Sequence, residues 1–164
     1  EAGYRAKRDG EVNLWTLNAY AGLQGGSEQL LSDAVDSADK TGSAFGLWAP
    51  IGFEYAFGTG DSSWSIFLPV LDLGATASER AAPSTVMING VDVAVGTEPL
   101  KWENLFSPGF AVLWGVSRSH PTVYGLSLQY TAKHRTLQTG GSGEAVGTVR
   151  AMFIIAIDIP LVVF

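Results

Sequence analysis

The sequence predicts an all-β fold, an antiparallel up-and-down β-barrel: a meander of six to eight strands with alternating long and short loops. Three observations predict it. Six stretches place large apolar residues at every second position, opposite small or polar ones, which is the strand period. The connections between these stretches run long, short, long, short, long. The composition suits sheets too, with 20 glycines, 5 Trp, 5 Tyr and 8 Phe in 164 residues. A chain of this length forms one domain with a sizeable core. Residues 1–164 are therefore read as a single barrel, with 1–11 a polar lead-in and 78–104 a long loop carrying a small hairpin.

The strands follow in order. From Val12 to Gln24, Trp15, Leu17, Ala19, Ala21 and Leu23 share one face, while Thr16, Asn18, Tyr20 and Gln24 share the other. From Ala44 to Gly58, Phe45, Leu47, Ile51, Phe53, Tyr55 and Phe57 oppose small residues and one carboxylate, Glu54. Trp64 to Ala77 is apolar on both faces apart from Asp72. In Leu105 to Val116, Phe106, Phe110, Val112, Trp114 and Val116 face away from small residues. Thr122 to Lys133 sets Tyr124, Leu126, Leu128 and Tyr130 against Gly125, Ser127, Gln129, Thr131 and Lys133. Thr148 to Phe164 is almost continuously apolar, with Arg150 and Asp158 in one phase. Pro50, Pro69, Pro108 and Pro160 fall in or beside strands, and each lost ladder donor requires a bulge or a strand end.

The long loops carry their own signals. Asn89-Gly90 between Thr85–Ile88 and Val91–Val95 spells a tight type I′ hairpin. Ser27 to Lys40 has helical spacing of Leu30, Leu31, Ala34, Val35 and Ala38, compatible with a short helix whose acidic face is Asp33, Asp36 and Asp39. Gly140-Gly-Ser-Gly143 reads as a flexible loop.

Composition excludes several function classes. A net charge of −6 argues against nucleic acid, whose phosphates need a basic face. The basic groups Arg5–Lys7–Arg8 and Lys133–His134–Arg135 read as solvated surface. With no cysteine there is no disulfide or thiolate site. No His/Asp/Glu set has ligand spacing, so neither metal nor cofactor is expected. No apolar run reaches the ~18–20 residues of a membrane helix. His120, beside Ser119, reads as a polar turn residue, and His134 as a rim residue. His134 would be the first residue to mutate for a barrel-rim hydrolase, the weak catalytic alternative to a non-enzyme. Core filling is the reading for Trp48 and Trp114.

The loop rhythm, the final aromatic Phe164 and the few charges within strands resemble bacterial outer-membrane β-barrels. In addition, Ala49-Pro-Ile-Gly-Phe-Glu-Tyr55, Leu105-Phe-Ser-Pro-Gly-Phe110 and Asp158-Ile-Pro-Leu-Val-Val-Phe164 resemble the β-rich carboxy-terminal region of uncharacterised bacterial proteins. That second resemblance implies a chain cut from a longer protein with a helical part. Two functions are thus expected. The first is a non-catalytic outer-membrane-type barrel, structural or pore-like, with the lipid bilayer as partner. The alternative is a soluble, cytoplasmic barrel, an interaction or small-ligand-binding module packed on helices of the same longer protein. In the membrane case Asn18, Glu54, Asp72, Gln129, Arg150 and Asp158 face the interior, where Glu54, Asp72, Arg150 and Asp158 could neutralise one another. Leu17, Phe45, Phe53, Leu126 and Leu128 then face lipid. In the soluble case those five pack inward or under a helix.

Overall fold

Strict alternation allows each strand to pair on both edges while turning one face in and the other out, and the chain uses this to close a ring. The computed structural model describes Lys7 and residues 13–58, 62–82, 85–97, 101–117, 120–139 and 142–164. In chain order the elements are β1 (Asn13–Leu31), β2 (Thr41–Trp48), β3 (Pro50–Gly58), β4 (Ser63–Asp72), β5 (Ser78–Ala82), β6 (Thr85–Ile88) and β7 (Val91–Thr97). A one-turn helix α1 (Trp102–Leu105) precedes β8 (Gly109–Ser117), β9 (His120–Thr139) and β10 (Ser142–Val163). All pairings are antiparallel. β1 pairs β3, β3 pairs β4, β4 pairs β8, β8 pairs β9, β9 pairs β10, and β10 returns to β1. The Phe164 amide donates to the Trp15 carbonyl at 3.0 Å on the closing seam.

The ring is uneven. β1, β9 and β10 have 19, 20 and 22 residues, far more than β3 or β8 with 9 each. Their excess length rises as an extension on one side, called upper here. There β2 joins β1, β5 joins β2, and the β6–β7 hairpin joins β9. Of the expected loop over 78–104, the described residues 78–82, 85–88 and 91–97 are therefore strands annexed to the main sheet. The hairpin forms where Asn89-Gly90 calls for it, with φ of 50° and 79° at the two positions.

Proline chemistry sets the irregularities. Pro160 sits where the β1–β10 register shifts between Leu17 and Asn18, and Pro69 where the β3–β4 register shifts between Ile51 and Gly52. Pro50 opens β3 after the break at Ala49, and Pro108 immediately precedes β8.

Several expectations are corrected. Ser27–Leu31 is not helical: it continues β1, paired with β10 on one side and, from Ser27 to Gln29, with β2 on the other. Two neighbouring strands supply more hydrogen bonds than an isolated short helix could retain. Asp33, Asp36 and Asp39 thus lie in the irregular connection between β1 and β2; the Asp36 amide donates to the Met87 carbonyl and Asp39 Oδ2 accepts from the Met87 amide. His134–Gly147 is mostly strand, not loop, and Ser142–Gly143 belongs to β10, while 140–141 lie outside the described residues. Trp48 is fully buried, but Trp114 is 43% exposed because it occupies an outward position of β8.

Candidate functional site

Around the ring the outward positions are largely apolar, while the inward ones mix charged, polar and apolar side chains. Inward positions of β1 carry Thr16, Asn18, Tyr20, Gln24 and Glu28, all buried, whereas outward Trp15 and Leu23 are exposed. Outward positions elsewhere carry Phe53, Ile66, Leu68, Phe110, Val112, Leu126, Leu128, Phe153, Ile155 and Ile157, every one exposed. Of the five residues proposed to face lipid, Phe45, Phe53, Leu126 and Leu128 are exposed and Leu17 is half-buried on the same outer face.

Aromatics gather at one end of this face. Register aligns Phe57, Trp64, Trp114 and Tyr124 across four consecutive ring strands. Trp64 stacks on Trp114 at 6.1 Å, and Trp15 lies 5.0 Å from Tyr55. Towards the other end stand Phe45, Phe106, Tyr130 and Trp102, the last 80% exposed on α1. Beyond that level the outer face becomes mixed: Ser27 and Gln29 on β1, Thr41 and Ser43 on β2, and Lys133 on β9 are exposed there beside Leu31, Met87 and Val91. Lys133 Nζ donates to Glu103 Oε2 at 2.7 Å, and this hydrogen bond and charge hold the exposed Glu103 carboxyl below its ordinary value. Two shallow grooves of ≈ 410 and ≈ 440 Å³ also lie on the outer face, one beside Phe45 and Leu47, the other beside Trp64 and Trp114.

The interior is filled in layers. Lowest is an ion cluster, in which Lys7 Nζ donates to Glu54 Oε2 at 2.7 Å and to Asp158 Oδ1 and Oδ2 at 2.9 and 3.1 Å. Asn18 Nδ2 donates to Asp158 Oδ1 at 2.8 Å. Above it Tyr20, Trp48 and Phe67 pack with centroids 4.9–6.0 Å apart, closed in by Leu113, Val123 and Ile154. The next layer holds Arg150, whose Nη2 donates to Asp72 Oδ2 at 3.4 Å. Nearby, Glu28 accepts from Arg135 Nε at 3.1 Å and Nη2 at 2.9 Å, with Arg80 Nη1 and His134 Nε2 each at 3.5 Å. An aliphatic cluster of Leu30, Val35, Val86, Val93, Leu137 and Val146 caps the upper extension.

All six expected interior residues, Asn18, Glu54, Asp72, Gln129, Arg150 and Asp158, are thus buried. Their partnering differs from the expectation. Glu54 and Asp158 meet, but through Lys7, while Arg150 serves Asp72. Lys7 is not solvated surface: two buried carboxylates hold it inside, and Arg5 and Arg8 lie outside the described residues. His134 and Arg135 are likewise buried and not a rim cluster. A bulge explains this, because Lys133 at φ 51° and the register shift between Val146 and Thr148 break alternation and turn two successive residues inward. Sequence reading also missed Glu28 and Arg80. Parity with Gln24 would have found Glu28 had β1 been extended. His120 opens β9, where it pairs with Ser117, and Ser119 lies outside the described residues.

Among the described residues no cluster of His, Cys, Asp or Glu could hold a metal ion, and no helix is long and apolar enough to cross a membrane. Family models, curated proteins and solved structures were compared with this chain, and none matches.

Proposed function

We infer that this chain is a β-barrel embedded in a lipid bilayer, of the bacterial outer-membrane type, with a structural and non-catalytic role. The observation that carries the reading is the outer face of the six ring strands: large apolar side chains point outward, while charged ones are buried within among apolar layers. In water such a belt would expose a contiguous apolar surface far larger than soluble monomers tolerate. In a bilayer it is the solvated face, and the ion pairs inside satisfy the polar groups that lipid cannot. The strand lengths agree, since about 9–11 residues at the usual tilt cross the hydrocarbon. The aromatic row Phe57–Trp64–Trp114–Tyr124 fits an interfacial girdle, where amphipathic rings are favoured.

Between a pore and a closed scaffold, the filled interior favours the scaffold. The aromatic layer of Tyr20, Trp48 and Phe67 lies across the axis between two ion clusters. Against a hydrolytic role stands the burial of His134, the expected rim residue, beside Glu28 and Arg135.

The deciding experiment is reconstitution of the purified chain into vesicles containing brominated lipids. Outward Trp64 and Trp114 should be quenched and buried Trp48 spared, with no conductance step above the background of protein-free bilayers. A monodisperse, folded chain in detergent-free buffer would overturn the membrane reading and favour the soluble module.

A further inference from the structure

In the upper extension the sheet does not close by strand pairing. β5 and β6 follow one another in the chain, yet they stand at opposite ends of the strand order, and no ladder joins them among the described residues. The outer edge of β6 centres on Met87. A two-residue turn makes Ile88–Val91 and Val86–Val93 the hydrogen-bonded pairs of the hairpin, so the amide and carbonyl of Met87 point away from β7. Left bare, such an edge is a template for pairing with another chain.

The connection between β1 and β2, residues 32–40, covers that edge. The Asp36 amide donates to the Met87 carbonyl at 3.1 Å, and Asp39 Oδ2 accepts from the Met87 amide at 2.8 Å. The Asp39 carboxylate thereby takes the place of a carbonyl on a neighbouring strand. Its own amide donates to the Asp36 carbonyl at 2.9 Å, which holds the two contacts together. Towards β5, the Asp39 carbonyl accepts from Arg80 Nη2 at 2.9 Å, and Arg80 Nη1 reaches Glu28 Oε1 at 3.5 Å. One residue, Asp39, therefore ties β5 to β6. The connection has a single buried side chain, Val35, which packs into the aliphatic cap with Leu30, Val86, Val93, Leu137 and Val146. Asp33, Ala34, Asp36, Ser37 and Ala38 are exposed. One buried side chain and a few exposed hydrogen bonds put this segment at the low end of local stability. By contrast, β10 is paired along its length with β1 on one side and β9 on the other.

We propose that residues 32–40 form a strap that closes the upper extension, with Asp39 as its clasp and Val35 as its anchor, and that the strap opens by itself while the ring stays closed. Opening uncovers the edge of β6 at Met87 and the aliphatic cap over the extension. The strap lies beyond the apolar belt, so it does not depend on the bilayer reading.

The test is hydrogen exchange of the full chain, read at single amides by NMR, in detergent or in buffer as its solubility requires. Val86, Met87 and Ile88 are neighbours on one strand, but the strap holds the Met87 amide while β7 holds the other two. Met87 should exchange at least about tenfold faster than Val86 and Ile88, through openings that leave the β1–β10 seam protected. Asp39→Ala should speed exchange of the Asp36 amide by about tenfold, although that amide bonds to Met87 and not to Asp39. Amides of β1 and β10 should not change. Asp39→Asn keeps an acceptor oxygen and should restore most of the protection. If Asp39→Ala does not fold, the comparison of Met87 with its two neighbours in the unaltered chain carries the test. Met87 protected as strongly as Val86 and Ile88 would overturn the proposal, because the strap would then open only with the hairpin. An Asp36 amide unaffected by Asp39→Ala would likewise remove Asp39 as the clasp.

Discussion

Lys7 places one ammonium between two buried carboxylates, Glu54 and Asp158, with its charge 6.0 Å from the Tyr20 ring centroid. Removing one member of a buried ion cluster strands the others, so Lys7→Met should lower stability by about 3–5 kcal/mol in denaturant titrations. Adding Glu54→Gln should recover part of that loss, and an additive double variant would refute the coupling. The exposed Glu103–Lys133 pair should behave differently. Its carboxyl titrates lower when folded than when unfolded, so its support of α1 is complete above the unfolded-state value and fades as pH falls through the folded one. Fluorescence of neighbouring Trp102 should report a small acid transition that Glu103→Gln abolishes, small because both groups are more than half exposed. At this scale sequence reading named the inward Glu54, Asp72 and Asp158 from their places within strands but not Glu28, which lay beyond the strand it drew. It missed His134 because the bulge at Lys133, a left-handed backbone position, turns Lys133 outward and His134 inward. Arg135 keeps the inward phase of Gln129 and Thr131, and was missed because the strand was ended at Lys133.

Elements were legible wherever local chemistry dictates them. The Asn89-Gly90 turn and the irregularities at Pro69 and Pro160 follow from backbone preferences that a neighbour cannot change. The helix expected over Ser27 to Lys40 failed because its first five residues pair with β10, a strand more than a hundred residues away. Interior glycines express a related long-range constraint. A Cβ on inward Gly22 would lie 2.1 Å from the Ile155 carbonyl oxygen, whereas one on Gly25 would meet nothing nearer than the Ala44 carbonyl oxygen at 4.0 Å. Gly22→Ala should therefore cost about 1–3 kcal/mol through overpacking, and Gly25→Ala much less. Equal midpoints for the two variants in denaturant would show that the seam has slack.

At the scale of the molecule, a narrow ring leaves little interior, and three kinds of layer occupy it: ionic, aromatic and aliphatic. Its outer belt sets the remaining prediction. Leu126→Arg, at a position 65% exposed, should cost about 2–4 kcal/mol when the chain folds into vesicles. Were the belt facing water, the same change would stay within about 0.5 kcal/mol. Equilibrium folding measured in both environments separates these outcomes.

By itself the sequence determined the strand class, the prolines' irregularities, the hairpin and the two-faced character of the wall, because each depends on residues within a few positions of one another. Only the tertiary structure decided which face is inside. Alternation is symmetric, so an apolar row suits a core or a lipid-facing belt equally well until ring closure turns one set of Cβ atoms inward. Tertiary structure also decided the partners of the buried charges, since Lys7 and Asp158 are 151 positions apart and share a site solely because β10 closes the ring against β1.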